Sequence, residues 1–204
     1  MIFQEESEAD RVLMRHLIAL HEAHDKKHDV TSRGKLANLR YGMRDRLHDL
    51  YPVGRVFPAL KEGSLTDNDE RNEWRTLIAS LYGYSHDDIE DIKGITLGSA
   101  LRTLADKRDS DSLERRFMAM LNTDAEHLPG YLRQSLSLLK AEQIGLDWGT
   151  LLNDVAFWQH SEKKIQKKWV RDYYKSRKLD ANDPLAPEEK PDETGNLFDV
   201  TDEN

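Results

Sequence analysis

Apolar residues recur every third or fourth position along most of the chain. In residues 32–50 the spacings are 3, 4, 4 and 3 positions, through Leu36, Leu39, Met43, Leu47 and Leu50. This period places the side chains on one face of an α-helix. No window alternates β-branched with polar residues over the length of a strand, so no β-strand is predicted. The pattern predicts an all-α fold.

The same period predicts further helices along the chain. They are expected to begin near residues 7, 32, 66, 94, 111, 128, 147 and 161. Thr66 and Asp147 are expected to cap the helices that follow them, because their side-chain oxygens can accept the first free backbone N–H groups. The last predicted helix, residues 161–178, is strongly basic.

Changes in composition divide the chain into three parts. An acidic linker separates an N-terminal helical half, residues 1–93, from a C-terminal helical half, residues 94–178, which ends in the basic helix. Residues 179–204 contain three prolines, one glycine and few apolar residues, so this acidic tail is expected to stay disordered. We predict a compact multi-helix protein of two packed halves, followed by the tail.

The acidic charge is concentrated at one end of the chain. The whole sequence has 38 acidic and 30 basic residues, a formal net charge of −8. Residues 179–204 hold nine of the acidic residues and one basic residue, so the remainder carries 29 of each sign and is neutral on balance. Binding of charged partners must therefore be judged from local patches.

Several classes of site are excluded or unsupported. The chain has no cysteine, which excludes disulfides, thiolate zinc sites, iron–sulfur clusters and cysteine nucleophiles, and which fits a reducing cytoplasm. There is no apolar run of membrane-spanning length and no basic, apolar signal at the N-terminus. Phosphate-loop, serine-hydrolase and dinucleotide motifs are missing. We expect no cofactor, no membrane association and no enzymatic activity.

The stretch HEAHDKKHD, residues 21–29, is the strongest argument for a metal site. His21, His24 and His28 stand at i, i+3 and i+7, so one continuous helix would bring the three imidazoles to one side. The zincin motif needs two histidines four positions apart, however, and HEAH offers three. The alternatives are a metal-dependent phosphohydrolase that uses His21, His24 and Asp25, or a solvated helix end where histidines face the negative end of the helix dipole.

Basic residues follow helical spacing in two places. In the last helix Lys164, Lys167, Lys168 and Arg171, with Lys175 and Lys178 further along, fall within about a third of the circumference. The apolar residues Ile165, Trp169, Val170 and Tyr173 occupy the opposite side. In the second helix Arg33, Arg40 and Arg44 line one flank of the leucine face. Such faces can follow a phosphate backbone and release its counterions.

Two other interpretations of these faces stay open. The charges could form a solvated surface closed by intrahelical ion pairs, or the basic helix could belong to an α-helical adaptor that binds an acidic protein partner. Competition by oligonucleotides distinguishes nucleic-acid binding from the adaptor.

Five segments in order, together with GKLANLR near the N-terminus, resemble one known family. The segments ITLGSAL, LERRFMAML, LRQSLSLLK, GLDWGTLLNDVAFW and KKIQKKWVRDYY are similar to the CasB-type small subunit of the type I-E CRISPR Cascade complex. Together these segments cover most of residues 32–174. The resemblance implies an all-α, noncatalytic protein that lies as two copies beside the backbone and large subunits. It also implies contacts to the guide RNA, to the target DNA paired with it, and to the displaced DNA strand.

The resemblance assigns basic positions of the family to residues of this chain. They are Arg40 in GKLANLR, Arg115 and Arg116 in LERRF, Arg133 in the LRQSL segment, and the cluster Lys163, Lys164, Lys167, Lys168 and Arg171. Arg33, Lys35 and Arg44 are added from the helical wheel rather than from the family. Trp148 and Trp158 match family aromatics that are interpreted as core residues. The acidic tail departs from the family pattern, either as a passive solubilising end or as a segment that folds over the basic face.

Overall fold

The computed structural model describes residues 7–43, 54–109 and 111–175. The helices are α1 Glu8–Lys27, α2 Val30–Arg40, α3 Asp69–Ser85, α4 Leu97–Arg108, α5 Asp111–Leu121, α6 Leu128–Ala141, α7 Trp148–Ala156 and α8 Lys164–Lys175. Short 3₁₀ turns lie at Tyr41–Met43 and Phe57–Ala59. These residues form no strand beyond a single β-bridge between Asp91 and Leu146, so the all-α prediction is confirmed. Arg44 and the tail, residues 179–204, lie outside the described residues.

Side-chain caps fix where several helices begin. The carboxylate of Asp147 accepts the backbone N–H of Thr150 at 2.9 Å and caps α7, as predicted. The prediction for Thr66 is wrong, because Asn68 caps α3 by accepting the N–H of Arg71 at 2.9 Å. Thr66 instead accepts hydrogen bonds through its hydroxyl from the backbone of Asn68 and from the guanidinium of Arg75.

The histidine-rich stretch contains the end of one helix and the start of the next. His28 has a left-handed backbone conformation, with φ at 51°, and closes α1 through an N–H donated to the carbonyl of Ala23. Asp29 then caps α2, which begins at Val30. A continuous helix through His21, His24 and His28 does not form, because α1 ends at Lys27. The stretch is the polar end of α1, and Arg33 follows in the first turns of α2.

Within the described residues, one hydrophobic core runs through both predicted halves of the chain. Helix α3 is buried along most of its length and packs against α1, α2, α6 and α7. Helix α4 packs against α5, α6 and α8. Trp148 and Trp158 are buried, in agreement with their interpretation as core residues. Because α7 also packs on α1, it connects the two predicted halves, whose boundary at residue 93 stays a prediction.

A glycine allows α4 and α8 to approach closely. A Cβ atom at Gly98 of α4 would collide with the backbone carbonyl of Trp169 in α8. Only a residue without a side chain permits this distance between the two helices. The close contact fixes the position of α8 on the core, and with it the direction in which the cations of α8 point.

Within residues 7–43, 54–109 and 111–175, no helix is both long and apolar enough to cross a bilayer.

Candidate nucleic-acid interface

Helix α8 is held to the core through one apolar face. Ile165, Trp169 and Tyr173 are buried, and Tyr173 stacks on Phe117 of α5 with the ring centroids 4.5 Å apart. The indole N–H of Trp169 donates a hydrogen bond of 2.7 Å to Asp154 of α7. These contacts lie on different neighbouring helices, so they fix the rotation of α8 about its own axis.

Three cations project from the opposite side of α8. Lys167, Arg171 and Lys175 are exposed and stand at i, i+4 and i+8, which places them along about 12 Å of the helix. None of the three makes an ion pair with another residue in the described ranges. We call these three residues the outward face of α8. Their charges are available to a partner that arrives from solvent.

Two further lysines of α8 are already neutralised by carboxylates of this chain. Lys168 donates two hydrogen bonds of 2.9 Å to the carboxylate of Asp154, and its side chain is only 23% exposed. Lys164 forms an ion pair of 2.9 Å with Glu162. Burial raises the pKa of Asp154 above its usual value, against the effect of Lys168 and Trp169. The helical wheel groups Lys168 with the outward cations, but its ammonium group points towards α7.

Lys163 stands just before α8 and has an exposed side chain. Its backbone is left-handed, with φ at 50°, and its N–H donates to the carbonyl of His160 at 2.8 Å. The charge of Lys163 therefore lies at the end of the outward face and not within it.

The predicted basic flank of α2 is divided among different environments. Arg33 is exposed and Lys35 is half-buried. Arg40 donates hydrogen bonds to the carbonyl of Gly83 at 2.6 Å and to His86 and Asp87 at 3.2 Å, so it connects α2 to the end of α3. An arginine with three such acceptors has fewer donors left for a phosphate.

The basic residues of α5 and α6 are exposed. Arg115 and Arg116 of α5 lie on the solvent side of that helix, and Arg133 of α6 is exposed while it also interacts within the chain. The hydroxyl of Tyr174 in α8 donates to the carboxylate of Glu114, the residue before Arg115. This hydrogen bond joins α5 to α8 at the turn of α5 that also carries Arg115.

The structure brings a third histidine to the proposed metal ligands, but not in a geometry that binds metal. His86, at the end of α3, packs its ring against His21 and His24 of α1, with centroids 5.0 and 6.2 Å apart. In residues 7–43, 54–109 and 111–175 no group of three or more His, Asp or Glu side chains is arranged to hold a metal ion. Burial lowers the pKa of His86 to about 4, although the charge of Asp87 acts in the opposite direction. The phosphohydrolase alternative gains no support from this cluster.

A buried cluster of opposite charges connects α1 to α3, and the sequence patterns did not indicate it. The carboxylate of Asp10 is 1% exposed and accepts hydrogen bonds from both Arg71 and Arg75, the latter at 2.8 Å. The guanidinium of Arg71 also lies over the ring of Phe157, 5.1 Å from its centroid. Because Arg75 is fully enclosed and donates to Ser7, Thr66 and Asn72 as well, this cluster has a structural role.

Comparison with known proteins identifies relatives of the chain. Residues 35–174 match the family described as "CRISPR-associated protein Cse2". A protein of that name from Thermus thermophilus is 34% identical over 119 residues, which cover 58% of this chain and 65% of the relative. The chain therefore spans just under two thirds of that relative's length.

Solved structures agree with this match. The crystal structure of a Cse2-family, CRISPR-associated protein from Thermus thermophilus superposes with a TM-score of 0.65 at 28% identity, covering 80% of this chain and 97% of that one. A chain of a structure described as a CRISPR RNA-guided surveillance complex superposes with a TM-score of 0.63, covering 80% and 94%. At 20% identity, the second likeness concerns the fold alone.

Proposed function

The chain belongs to the CRISPR-associated Cse2 family, and on that premise we propose that it is a noncatalytic, nucleic-acid-binding small subunit of a type I-E CRISPR surveillance complex. Its role would be to stabilise the hybrid of guide RNA and target DNA, and the displaced DNA strand, in antiviral defence. Its partners would be these nucleic acids, the backbone and large subunits, and a second copy of itself. The proposed location is the cytoplasm.

The observation that carries the proposal is the outward face of α8. Lys167, Arg171 and Lys175 are held on a helix whose rotation is fixed, and they form no ion pair with a carboxylate in the described ranges. Cations in such an arrangement bind phosphates without reading bases, which positions a strand but does not select its sequence. A subunit that must accept any target sequence needs this kind of contact.

The energetics of strand exchange explain why such contacts matter. Pairing a guide RNA with one DNA strand replaces a DNA duplex by a hybrid of about equal stability. Contacts that hold the displaced strand therefore shift the balance towards the open state. Arg115 and Arg116 on α5 and Arg133 on α6 extend the exposed basic surface, and Arg33 on α2 provides another exposed cation.

The proposal can be tested by the anisotropy of a labelled single-stranded DNA with the full chain in EDTA, across a salt series. The test variant carries Lys167→Gln, Arg171→Gln and Lys175→Gln, and the control carries Lys26→Gln, Lys27→Gln and Lys61→Gln. All six side chains are exposed, so both variants lose the same charge from the surface. We expect only the test variant to bind the DNA more weakly. Its plot of log affinity against log salt concentration should be shallower by about 2, because each of three lost phosphate contacts contributes about 0.7 to the slope.

Equal slopes in the two variants would remove α8 from the binding surface. The adaptor alternative predicts a different result, because oligonucleotides would then compete poorly with an acidic protein for the same helix. Binding in EDTA also separates the proposal from the metal-dependent alternative.

A further inference from the structure

We propose that the acidic segment 179–204 of this chain occupies the outward face of α8 when nucleic acid is absent, and competes with nucleic acid for that face. The inference rests on the proposed function, because it concerns the same cations. It adds an internal competitor that would weaken binding to nonspecific nucleic acid.

Acidic and basic charges are separated along the chain. Residues 179–204 carry nine acidic residues and one basic residue, while the rest of the chain is neutral on balance. A segment with this charge is attracted to the nearest exposed cations, and the attraction weakens beyond about 10 Å at moderate salt. The segment begins four positions after Lys175, the last cation of the outward face. The most acidic segment of the chain therefore begins close in sequence to the outward face.

Only some of the cations of α8 form ion pairs with carboxylates of this chain. Asp154 and Glu162 already pair with Lys168 and Lys164, and both carboxylates come from residues that precede the helix. Lys167, Arg171 and Lys175 have no such carboxylate in the described ranges. The three remaining cations are exposed and can bind an anionic partner, and the tail is tethered close to them in the sequence.

The tail is long enough to extend along the whole outward face of α8. An extended chain covers at most about 3.3 to 3.6 Å per residue, so a few residues are enough to run back along the roughly 12 Å of the outward face. The 26 residues of the tail exceed this need several times over. Tethering of this kind gives an effective concentration on the order of millimolar, at which even weak ionic contacts are populated.

Competition follows because carboxylates and phosphates would neutralise the same three cations. A nucleic acid that offers only a few phosphates must displace the tail first. A strand held by other subunits of a complex is itself tethered, so it can displace the tail more easily. The tail would thus weaken binding of free, nonspecific nucleic acid more than binding of a strand that is held in the complex. Specificity is then obtained by weakening binding to the wrong partner.

The contact can be tested without nucleic acid by carbodiimide crosslinking of the full chain, followed by peptide mass spectrometry. This reagent joins a carboxylate to an amine that it touches. We expect tail carboxylates to crosslink to Lys167 and Lys175 far more often than to the exposed reference residues Lys26 and Lys61, with the preference lost at about 0.5 M salt. Crosslinks spread evenly over all four lysines would overturn the proposal.

Competition is tested with a tail-neutral variant of the full chain, with labelled oligothymidylate of about 20 nucleotides as the probe. The substitutions are Asp180→Asn, Asp183→Asn, Glu188→Gln, Glu189→Gln, Asp192→Asn, Glu193→Gln, Asp199→Asn, Asp202→Asn and Glu203→Gln. At low salt we expect the variant to bind roughly three- to tenfold more tightly than the natural sequence. Equal affinities would contradict the proposal.

A double-mutant cycle separates a local contact from the general effect of net charge. The tail-neutral substitutions are combined with Lys167→Gln, Arg171→Gln and Lys175→Gln. If the tail covers this face, neutralising the tail should no longer increase the affinity for the oligonucleotide once the face has lost its charge. A gain that persists in the combined variant would mean that the tail acts through net charge alone, which overturns the proposal.

The outcomes also separate this inference from the proposed function. Crosslinks concentrated on Lys167 and Lys175 in a chain that binds no oligonucleotide would support the tail contact and contradict nucleic-acid binding. Oligonucleotide binding that depends on the outward face but not on the tail would support nucleic-acid binding and contradict the tail contact.

Discussion

Trp169 donates its indole N–H to Asp154 over 2.7 Å, so a buried carboxylate of α7 determines how α8 lies on the core. The same carboxylate accepts both hydrogen bonds from Lys168. One acidic side chain therefore orients the helix and withdraws one of its cations from solvent. The neighbouring Lys167, one position earlier in the sequence, is left exposed.

Replacing this carboxylate should loosen α8. In Asp154→Ala the indole N–H of Trp169 loses its buried acceptor, and Lys168 is left without its anion. We expect the free energy of unfolding to fall by about 2 to 3 kcal/mol, measured by urea unfolding. Lys168→Met is the control: it keeps the bond to Trp169 and should cost less. If both variants lost the same free energy of unfolding, the loss in Asp154→Ala would come from the ion pair with Lys168 and not from the hydrogen bond to Trp169.

The buried cluster around Asp10 should contribute more to the free energy of unfolding than Asp154 does. Asp10→Asn would leave the guanidiniums of Arg71 and Arg75 without a carboxylate, and Arg75 is only 2% exposed. Removing one partner from a buried ion pair costs about 3 to 5 kcal/mol, so a large fall in the urea midpoint is expected. Glu8→Gln, on the exposed side of the same helix, should leave the midpoint unchanged. Similar midpoints for both variants would contradict the structural role of the cluster.

Periodicity was sufficient to predict most of the helices and several of their buried faces. The helix predicted over residues 32–50 is an exception, because α2 ends at Arg40 and a 3₁₀ turn follows at Tyr41–Met43. The face of α8 formed by Ile165, Trp169 and Tyr173 follows from spacing alone, since a helix repeats every 3.6 residues. The cap of α3 was predicted wrongly because Thr66 and Asn68 both offer an oxygen near the helix start, and spacing does not choose between them. Local competition of this kind is decided by the loop geometry before the helix.

The direction of individual charged side chains could not be predicted from spacing. The side chain of Arg40 is directed by a carbonyl 43 positions away in the sequence. The side chain of Lys168 is directed by a carboxylate 14 positions earlier, on another helix. One signal was present for the second case, because Asp154 is the only charged residue in the stretch WGTLLNDVAFW. An acidic residue inside such an apolar helix is rarely buried without a partner.

The close approach of α4 and α8 gives a prediction about glycine. Gly98→Ala should force the helices apart, because the added methyl group would meet the backbone carbonyl of Trp169. We expect thermal unfolding to show a loss of about 1 to 3 kcal/mol. The matched control is Gly34→Ala in α2, where an added Cβ has no neighbour within 4 Å. That change should raise stability by up to about 1 kcal/mol, since alanine favours helix.

Stability should depend on pH through His86. Its ring faces His21 and His24 of α1 and Arg40 of α2, with Asp87 beside it. Because burial lowers its pKa to about 4, from 6.5, the unfolded chain binds a proton between these values that the folded chain does not. The contribution of His86 is therefore fully present above pH 6.5 and is lost as the pH falls towards 4.

The measurement for His86 is urea unfolding at several pH values between about 4 and 7. The slope due to one such proton is at most about 1.4 kcal/mol per pH unit. His86→Gln, which cannot be protonated, should flatten the curve in this window. An unchanged curve would mean that another group causes the acid sensitivity.

The two adjacent lysines of α8 provide the sharpest test of the interface. Lys167 is exposed without an ion pair in the described ranges, whereas Lys168 is bound to Asp154. Lys167→Gln should therefore weaken binding of single-stranded DNA and reduce the salt slope by about 0.7, the value for one phosphate contact. Lys168→Gln removes the same charge one position away, but it should leave the slope unchanged and lower stability instead. If the slope responds equally to both substitutions, Lys168 leaves Asp154 when nucleic acid binds, and the outward face then includes four cations.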